Sequence, residues 1–313
     1  MPAKSHKFKE KFSGQVYFSL TMSKLKRLKH LIEYFALLLF RLKLFLLGWR
    51  VSHLLAKFLA SVGYHAVPIR KKVARTNLTR AFPELTSNQI NKILFRTYQQ
   101  FAQTFVEILL LPKLSAEKIR QMVTITNPGV LEEARATGAI LVGAHFGNWE
   151  LMGIRLALDY PVDFVIGQQE NIRADELLNL PRKIFGIGLI PLKNALRQVI
   201  GSLKDKRYVA ILADQDAHEN GEFVPFFGQL ASTPKGPAVF ARHSQVPIIV
   251  GTIIRERPDK FRIFLDRITP PTGDNFIQEY TAAYTQKIEY YCRQYPDHWF
   301  WFHRRWKTRP ANT

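Results

Sequence analysis

Cysteine is nearly absent from this chain of 313 residues, which has only Cys292. A single thiol excludes an internal disulfide framework and is compatible with a reducing compartment. The sequence also lacks a glycine-rich phosphate loop, a Gly-x-Gly-x-x-Gly run after a strand, a Gly-x-Ser-x-Gly elbow and a paired Cys/His set. These absences remove most of the support for nucleotide-binding, serine-hydrolase and zinc-binding functions.

Acidic residues are few relative to basic ones. The chain has 45 Lys and Arg against 25 Asp and Glu, which gives a formal net charge of +20. Such a balance predicts an anionic partner, namely nucleic acid, an acidic membrane surface or a phosphorylated substrate. Charge alone does not choose among these three. The hydrophobic content of 47% is ample for a folded core.

No long apolar run is free of charges, although residues 31–49 come close. This stretch follows a basic segment at residues 24–30 and contains Glu33, Arg41 and Lys43. Large apolar residues recur at helical spacing from residue 28 to residue 49. They are Leu28, Leu31, Ile32, Phe35, Leu38, Leu39, Leu42, Phe45, Leu46 and Trp49. We expect an amphipathic helix in a membrane interface, with basic residues on anionic headgroups and the cytoplasmic side favoured. The alternative is an amphipathic helix packed on the folded domain.

The order of patterns along the chain predicts three segments. Residues 1–23 form a loose basic tail, residues 24–62 a membrane-associated helical region, and residues 63–313 one domain, helical over 63–120 and sheet-containing over 121–313. From about residue 122, short apolar strands alternate with helical patterns. This alternation predicts an α/β fold with a mixed, mainly parallel sheet covered by helices. In such sheets, ligands bind beyond the carboxyl ends of the strands.

The most informative stretch is His145 to Glu150, which directly follows the predicted strand at residues 139–144. A neutral imidazole can take a proton from a hydroxyl, and a carboxylate can fix the imidazole tautomer. On one helix the two residues would lie about 140° apart. They can therefore meet only if His145 lies in the turn and Glu150 in the first helical turn, with Gly143 and Gly147 permitting a tight approach. A helix-capping turn with a solvated glutamate is equally compatible with the pattern alone.

Two further segments carry candidate polar groups. Asp214 and Asp216 follow the predicted strand at residues 208–213 and open a long loop, so Asp214 and His145 could share one edge of the sheet. The two carboxylates suit either a metal ion or the capping of a turn, although hard cations usually need more oxygen ligands. Arg182 could stabilise a negative oxygen or clamp a phosphate, and it could equally be a solvated surface residue.

The carboxyl-terminal residues 296–307 interleave aromatic and basic side chains. Three of the five tryptophans fall within eight residues of this segment. Such side chains can stack on bases or lie at a lipid headgroup boundary, and a final packing strand is the alternative. We expect Trp299 and Trp301 to be partly buried in either case.

Taken together, these segments resemble the lipid A biosynthesis acyltransferases, the lauroyl/myristoyl type of bacterial inner-membrane enzyme, over residues 30–307. The resemblance rests on several blocks that occur in order. They are Asn77 to Glu84, His145 to Glu150, Arg182 ahead of Gly186, Asp214-Gln215-Asp216, Phe226-Phe227-Gly228, Thr233-Pro234 and Trp299 to Trp306. The His-x4-Glu core alone is moderately specific, and its order with the other blocks is much more so.

The resemblance implies transfer of a fatty acyl group from acyl carrier protein to a hydroxyl of a lipid A precursor, at the cytoplasmic face of the membrane. It implies that His145 is the general base and Glu150 its partner, with Arg182 and Asp214 around the active site. Gly147 and Asn148 join them as candidates to bind the oxyanion or the substrate. No cofactor or metal ion is expected. Because a thioester is already activated, we expect direct transfer without an acyl-enzyme.

The positive charge fits this interpretation, because acyl carrier protein is acidic and the acceptor carries phosphates. Candidate contacts to them are Arg75, Arg80, Arg304, Arg305 and Lys307. Three alternatives stay open on sequence alone. The acceptor could be another glycolipid or a lysophospholipid, water could replace the acceptor in a hydrolase, or the chain could be a basic nucleic-acid-binding protein. The acyltransferase interpretation, in contrast to the last of these alternatives, predicts no nucleic-acid partner.

Overall fold

The computed structural model describes residues 24–310, so the predicted basic tail at residues 1–23 lies outside the described residues. Within this range the chain forms ten α-helices and three short 3₁₀-helices. The α-helices are α1 (Lys24–His65), α2 (Lys71–Ala81), α3 (Ser87–Leu110), α4 (Ala116–Met122), α5 (Gly129–Glu133), α6 (Trp149–Ala157), α7 (Ile172–Ile184), α8 (Ala195–Lys204), α9 (Gly236–Ser244) and α10 (Phe276–Gln294). The 3₁₀-helices are Leu111–Lys113, Leu192–Asn194 and His218–Asn220.

Seven of the nine strands between residues 24 and 310 form one sheet in the order β1-β9-β8-β2-β5-β3-β4. The strands are β1 (Val123–Ile125), β2 (Ala139–Gly143), β3 (Val162–Ile166), β4 (Gly188–Pro191), β5 (Tyr208–Leu212), β6 (Glu222–Phe226), β7 (Gln229–Thr233), β8 (Ile248–Arg257) and β9 (Lys260–Ile268). Neighbours in this sheet are parallel except for β8 and β9. The predicted α/β fold with a mixed, mainly parallel sheet is confirmed.

Both faces of the sheet are covered, as the central strand β2 shows. Ile140 and Val142 pack into a core with α2, α3, α8, α9 and α10, whereas Ala139 and Leu141 pack into a second core with α4, α5 and α6. Alternate residues of a strand point to opposite faces, so a strand buried on both faces is apolar throughout. This burial explains the uninterrupted apolar run that ends just before His145.

The residues after Asp214 are not the single long loop that the sequence suggested, because residues 222–233 form a hairpin. Strands β6 and β7 pair as an antiparallel hairpin from Glu222 opposite Thr233 to Phe226 opposite Gln229. The two turn residues, Phe227 and Gly228, both have positive φ angles, of 51° and 71°. Such turns usually begin with Asn, Asp or Gly. A phenylalanine in the first turn position therefore gave no sequence signal for a hairpin.

Helix α1 divides its apolar residues between two faces, where the sequence predicted one stripe. It packs on α3 through buried side chains that include Leu44 and Ala56, and it bends at Gly48, whose φ of 72° and ψ of 176° are not helical. A second set of large apolar side chains, at least half exposed, is spaced by three and four residues along the outer face before the bend. This outer stripe consists of Leu25, Leu28, Ile32, Phe35, Leu39, Leu42 and Leu46. Among residues 24–310, no helix combines the length and hydropathy that crossing a bilayer requires.

The aromatic carboxyl-terminal segment belongs to the core. Trp299 and Trp301 are 1% and 0% exposed, and their rings meet edge to face at 4.5 Å. The segment forms turns and a single bridge to Phe146, rather than the packing strand that was one alternative. The prediction that both tryptophans are at least partly buried is confirmed, and at that burial neither ring can stack on a base or lie at a headgroup boundary.

Candidate active site

The register of two adjacent parallel strands brings His145 and Asp214 together. Gly143 of β2 pairs with Leu212 of β5, and the candidate residues each follow two positions later. The Nδ1 atom of His145 lies 2.8 Å from Oδ1 of Asp214, and the backbone N–H of His145 donates to Oδ2 at 2.9 Å. The expectation that both residues share one edge of the sheet is confirmed.

Asp214 is held as an ionised hydrogen-bond acceptor. Its Oδ2 also accepts from the indole N–H of Trp299 at 2.8 Å. Burial raises the pKa of Asp214, but the charge of His145 and the hydrogen bonds from its ring and backbone outweigh burial, so the pKa lies below its ordinary value. An ionised carboxylate only accepts hydrogen bonds, so the proton of the neutral imidazole lies on Nδ1.

The other ring nitrogen of His145, Nε2, is left available as a base. It makes no hydrogen bond with any residue between 24 and 310 that the structure describes, and the side chain is 24% exposed. Burial lowers the pKa of His145, and the charge and hydrogen bond of Asp214, with a contribution from Glu150, more than reverse that effect. The raised pKa makes Nε2 a better proton acceptor, provided that the ring starts neutral.

Glu150 does not make the hydrogen bond to His145 that the sequence predicted. It lies in the first turn of α6, as required, but its carboxylate binds the guanidinium of Arg182 on α7 in a two-point contact, with Nε to Oε2 at 2.8 Å. The indole N–H of Trp149 donates to Oε1 at 3.1 Å. Asp214 therefore takes the place predicted for Glu150, which acts on the imidazole through its charge.

Arg182 is likewise not the solvated surface residue that one alternative described. Besides its contact with Glu150, its Nη1 donates to Oδ1 of Asn179 at 2.6 Å, and its side chain is 19% exposed. A guanidinium carries five N–H donors, and these bonds use three of them. Two donors have no acceptor among residues 24–310 and stay available for a negative oxygen or a phosphate.

An apolar cavity opens beside this ion pair at the carboxyl ends of the strands. Strands β3 and β5 pair only from Val162 to Phe164, so the last two residues of each strand do not pair with the other. Apart from Glu150 and Arg182, the side chains that line the cavity are apolar or aromatic, and three of its lining residues are glycines. They include Leu141, Trp149, Met152, Leu156, Phe164, Ile166, Ala210, Leu212 and Leu265. An apolar space beside a charged pair suits a ligand with a long hydrocarbon part.

Gly147 shapes the turn and is not free to bind an oxyanion, contrary to the sequence prediction. Its N–H donates to the carbonyl of His298 at 2.8 Å, and its own carbonyl accepts from Oγ1 of Thr104 at 3.1 Å. Its φ of 55° lies in the left-handed region, and a Cβ atom there would lie 2.0 Å from the carbonyl oxygen of Ile253. Only glycine fits this position.

Replacing Gly147 by alanine should therefore destabilise the fold. The left-handed backbone costs about 1–2 kcal/mol, and the backbone clash adds to it. Gly129→Ala is the matched control, because no atom of the described chain, residues 24–310, lies within 4 Å of a Cβ added there. Urea unfolding should show a clear loss for Gly147→Ala and little change for Gly129→Ala, and equal stabilities would contradict the assignment.

Asn148 is a positioning residue in this structure, although the sequence suggested contact with the substrate. Its Oδ1 accepts from the N–H of Leu151 at 2.9 Å and caps α6, while its Nδ2 donates to Oε2 of Glu107 at 2.7 Å. The residue is 1% exposed, so both ends of the amide are committed to the protein. An N-cap of this kind fixes where α6 begins and hence where the turn that holds His145 ends.

Behind the turn lies a buried polar network that the sequence reasoning missed. Arg255 donates through Nη2 to Oε2 of Glu107 at 2.9 Å and through Nε to Oε1 of Gln100 at 3.0 Å. Nε2 of His53 lies 2.8 Å from the other oxygen of Glu107, which is 0% exposed. The available signal was that three polar residues of α3, Gln100, Thr104 and Glu107, recur at the three- and four-residue spacing of one helix face.

Comparison with known proteins decides the family. A family model described as bacterial lipid A biosynthesis acyltransferase matches residues 21–308. The chain belongs to this family. It is 28% identical over 253 residues to the lipid A biosynthesis palmitoleoyltransferase of Escherichia coli (strain K12), covering 77% of this chain and 80% of that protein.

Two other relatives are similar to this chain at lower identity. The lipid A biosynthesis lauroyltransferase of the same organism is 26% identical over 250 residues, which is 77% of this chain and 80% of the relative. The phosphatidylinositol mannoside acyltransferase of Mycolicibacterium smegmatis is 24% identical over 209 residues, which is 62% and 68% of the two chains. The protein is therefore an acyltransferase.

The prediction that Arg305 of this acyltransferase contacts a phosphate is wrong. The residue is 1% exposed, and it donates to the carbonyl of Ser232 and to Oγ1 of Thr233, both at 2.5 Å. Burial holds the pKa of Arg305 down, to about 10. Its role is to anchor the carboxyl-terminal segment on β7, because a buried guanidinium needs such acceptors.

The other four basic candidates lie nearer the surface. Arg80, Arg304 and Lys307 line one shallow surface depression beside Trp306, and Arg75 is exposed on α2 but does not line that depression. The structure therefore brings three of the four together.

The two carboxylates of the Asp214-Gln215-Asp216 segment are both bound to the protein. Asp216 accepts from Oγ1 of Thr308 at 2.8 Å, from the backbone N–H of Thr308 at 3.0 Å and from the N–H of His218 at 3.1 Å. Asp216 thus caps turns, whereas Asp214 accepts hydrogen bonds from His145. Among residues 24–310, no group of three or more His, Cys, Asp or Glu side chains could hold a metal ion.

Proposed function

We propose that this acyltransferase moves a fatty acyl chain from the thioester of acyl carrier protein to a hydroxyl of a lipid A precursor, with His145 as the general base. The observation that carries the proposal is the His145–Asp214 contact of 2.8 Å at the carboxyl-terminal edge of the sheet, which leaves Nε2 without a hydrogen bond to any residue from 24 to 310. Family membership supplies the reaction class. The names of two relatives, a palmitoleoyltransferase and a lauroyltransferase of lipid A biosynthesis, support the acceptor and a fatty acyl chain.

The reaction follows from the placement of the groups. Nε2 of His145 takes the proton of the acceptor hydroxyl as its oxygen attacks the thioester carbonyl, and the tetrahedral oxyanion forms. When the intermediate collapses, the carbon–sulfur bond breaks, and the departing thiolate takes the proton back from Nε2. Asp214 stabilises the imidazolium in between. The ester and a free thiol are the products, so the protein never carries the acyl group.

Arg182 is the proposed donor to the oxyanion. It lines the apolar cavity, and it keeps two N–H groups beyond those bound to Glu150 and Asn179. Glu150 then positions Arg182 and adds negative charge near His145, which explains a carboxylate at this point of the chain. The apolar cavity is the proposed site for the acyl chain.

A membrane surface at the cytoplasmic face of the bacterial inner membrane is the proposed place of the reaction. The outer stripe of α1 exposes seven large apolar side chains, an arrangement that suits an interfacial helix. The net charge of +20 would attract both anionic lipid and the acidic carrier protein. Arg80, Arg304 and Lys307 are proposed to contact the carrier protein or the phosphates of the acceptor.

The alternative within the same chemistry is a different acceptor, another glycolipid or a lysophospholipid. The likeness to a phosphatidylinositol mannoside acyltransferase supports it, since that protein acylates a different glycolipid. The geometry around His145 suits any hydroxyl that reaches Nε2.

The test is acyl transfer from a panel of acyl carrier protein thioesters to a phosphorylated lipid A precursor. We expect product from the wild type and a loss of about 10²–10⁴-fold in kcat for His145→Ala, the range of general base catalysis. His243→Ala is the matched control, because His243 is exposed and lies on α9.

The remaining outcomes separate the alternatives. Product with another glycolipid but none with the lipid A precursor would replace the acceptor and keep the chemistry. Release of free fatty acid would indicate a hydrolase, and an acyl group trapped on the protein would exclude direct transfer. A His145→Ala variant as active as the wild type would overturn the proposal.

A further inference from the structure

A cationic cleft lies beyond the bend of α1, apart from the His145 site. It is formed by the part of α1 that follows Gly48, by α4 and by the turn between β8 and β9, and its volume is about 470 Å³. Apolar and basic side chains share its lining. The residues are Trp49, Arg50, His53, Leu54, Lys57, Leu114, Lys118, Met122, Pro258 and Asp259. Trp49 joins α1 to the turn between β8 and β9, because its indole N–H donates to the carbonyl of Pro258 at 2.9 Å.

Three cations of the cleft have no ion-pair partner within residues 24–310. They are Arg50, Lys57 and Lys118, and all three are exposed. Arg50 and Lys57 are seven residues apart on α1 and therefore lie on the same face of the helix. Asp259 is the acid in the lining, so the cleft keeps an excess of positive charge.

His53 supplies a second and independent sign of a ligand. It lines the same cleft although its side chain is only 4% exposed, and its Nδ1 has no hydrogen-bond partner among the described residues. Nε2 lies against Glu107 at 2.8 Å. Buried polar groups are almost always paired, and an unpaired one commonly marks a ligand, an ion or a water that is not shown.

Apolar side chains continue from the cleft along the exposed face of α1. Leu54 is 66% exposed and Phe58 is 63% exposed, one helical turn apart. A free phosphate ion would leave these apolar side chains exposed to water, whereas the acyl chains of a lipid would cover them. The combination of unpaired cations and an adjoining apolar face matches a lipid with an anionic headgroup.

We propose that the cleft binds the phosphate headgroup of an anionic glycerophospholipid, with its acyl chains on the exposed face of α1. The inference rests on the proposed membrane location of this acyltransferase. Arg50, Lys57 and Lys118 hold the phosphate, and Leu54 and Phe58 lie against the acyl chains. The bound lipid fixes how the protein sits on the bilayer, independently of the acceptor at His145.

The experiment compares the wild-type chain with the triple variant Arg50→Gln/Lys57→Gln/Lys118→Gln. The matched control is Lys92→Gln/Lys193→Gln/Lys204→Gln, which removes the same number of exposed positive charges elsewhere. Binding is measured to phosphatidylcholine vesicles with and without phosphatidylglycerol. Titration with monomeric dihexanoyl phosphatidylglycerol, with the matching phosphatidylcholine and with inorganic phosphate identifies the ligand. Thermal unfolding confirms that each variant is folded.

We expect the wild type to bind one dihexanoyl phosphatidylglycerol per chain, saturably, and the triple variant to lose that binding. On vesicles containing phosphatidylglycerol, the triple variant should bind about 100-fold more weakly, since each basic residue near an anionic surface contributes about a factor of five. The control variant should keep the stoichiometric site.

Several results would overturn the inference. Equal binding of phosphatidylcholine or of inorganic phosphate would show that the cleft does not recognise an anionic lipid, and equal losses in both triple variants would show surface charge alone. Wild-type protein that transfers acyl groups but binds no vesicles would refute the membrane location itself. Vesicle binding that is equal in the wild type and the cleft variant would refute the cleft and leave the proposed function intact.

Discussion

Asp214→Asn is expected to lower kcat for acyl transfer by about 10³–10⁴-fold with the fold intact, because the amide selects the wrong tautomer of His145. Oδ2 of Asp214 accepts from two N–H groups, the backbone of His145 and the indole of Trp299. The amide oxygen of asparagine must take that position, because its NH₂ group cannot face two donors. The NH₂ group then faces Nδ1, which becomes an acceptor, and the ring proton moves to Nε2, where it blocks proton abstraction.

The pH profile separates this effect from a loss of structure. In the wild type, His145 has a raised pKa and must be neutral to act as a base, so activity falls as the pH drops through that pKa. Removing the charge of Asp214 lowers the pKa of His145, so the acidic limb of kcat/KM should move to lower pH while the plateau falls. A purely structural defect would lower the plateau and leave the limb in place.

Asp216→Asn is the matched control for this prediction. Asp216 is also buried and leaves the same strand, but its partners are Thr308 and His218. The control should keep the acidic limb of the wild type. A tenfold or smaller effect of Asp214→Asn on kcat, or the same limb in both variants, would remove Asp214 from the mechanism.

The placement of His145 and Asp214 was accessible from the sequence, and their pairing was not. Each residue follows an apolar run, which was enough to place both at one edge of the sheet. The pairing depends on β5 lying between β2 and β3, and no local pattern encodes that strand order. Without that strand order, the sequence favours the nearest carboxylate along the chain, Glu150, as the partner, although this side chain binds Arg182.

Buried charges are a second feature that the sequence does not predict. Arg305 and Arg255 look like any other arginine in a chain with 45 basic residues, yet the first is 1% exposed and the side chain of the second 6%. Burial of a charge depends on acceptors from distant parts of the chain, such as the carbonyl of Ser232 or the carboxylate of Glu107. Residue type and spacing do not reveal those acceptors.

The second large effect is expected on stability, from the ion pair behind the active site. Arg255→Met keeps most of the side-chain volume but leaves the carboxylate of Glu107, which is 0% exposed, without its cation. Burial raises the pKa of Glu107, and the charge of Arg255 with the hydrogen bonds from Arg255 and His53 holds it below its ordinary value. Loss of one partner of such a pair costs about 3–5 kcal/mol, because an uncompensated charge stays buried.

Denaturant unfolding of Arg255→Met should show this loss, and the double variant Glu107→Gln/Arg255→Met should recover part of it, because the buried charge is gone. Arg262→Met is the matched control, since its partner Glu256 and the arginine itself are exposed, by 36% and 42%. That pair joins β9 to β8, the strand that also carries Arg255, and it should contribute at most about 1 kcal/mol. Equal losses in the two arginine variants would contradict the buried-pair assignment.

The loss of stability in Arg255→Met should also depend on pH. In Arg255→Met, burial dominates and raises the folded-state pKa of Glu107 above its unfolded value, so the protonated carboxyl is favoured at low pH. The stability of the variant should therefore fall as the pH rises through that raised pKa, and the gap to the wild type should widen. Activity should fall with it, because Glu107 holds the Nδ2 group of Asn148, which caps the helix after His145. A gap between the wild type and Arg255→Met that does not change with pH would mean that the variant loses packing and not the compensation of a buried charge.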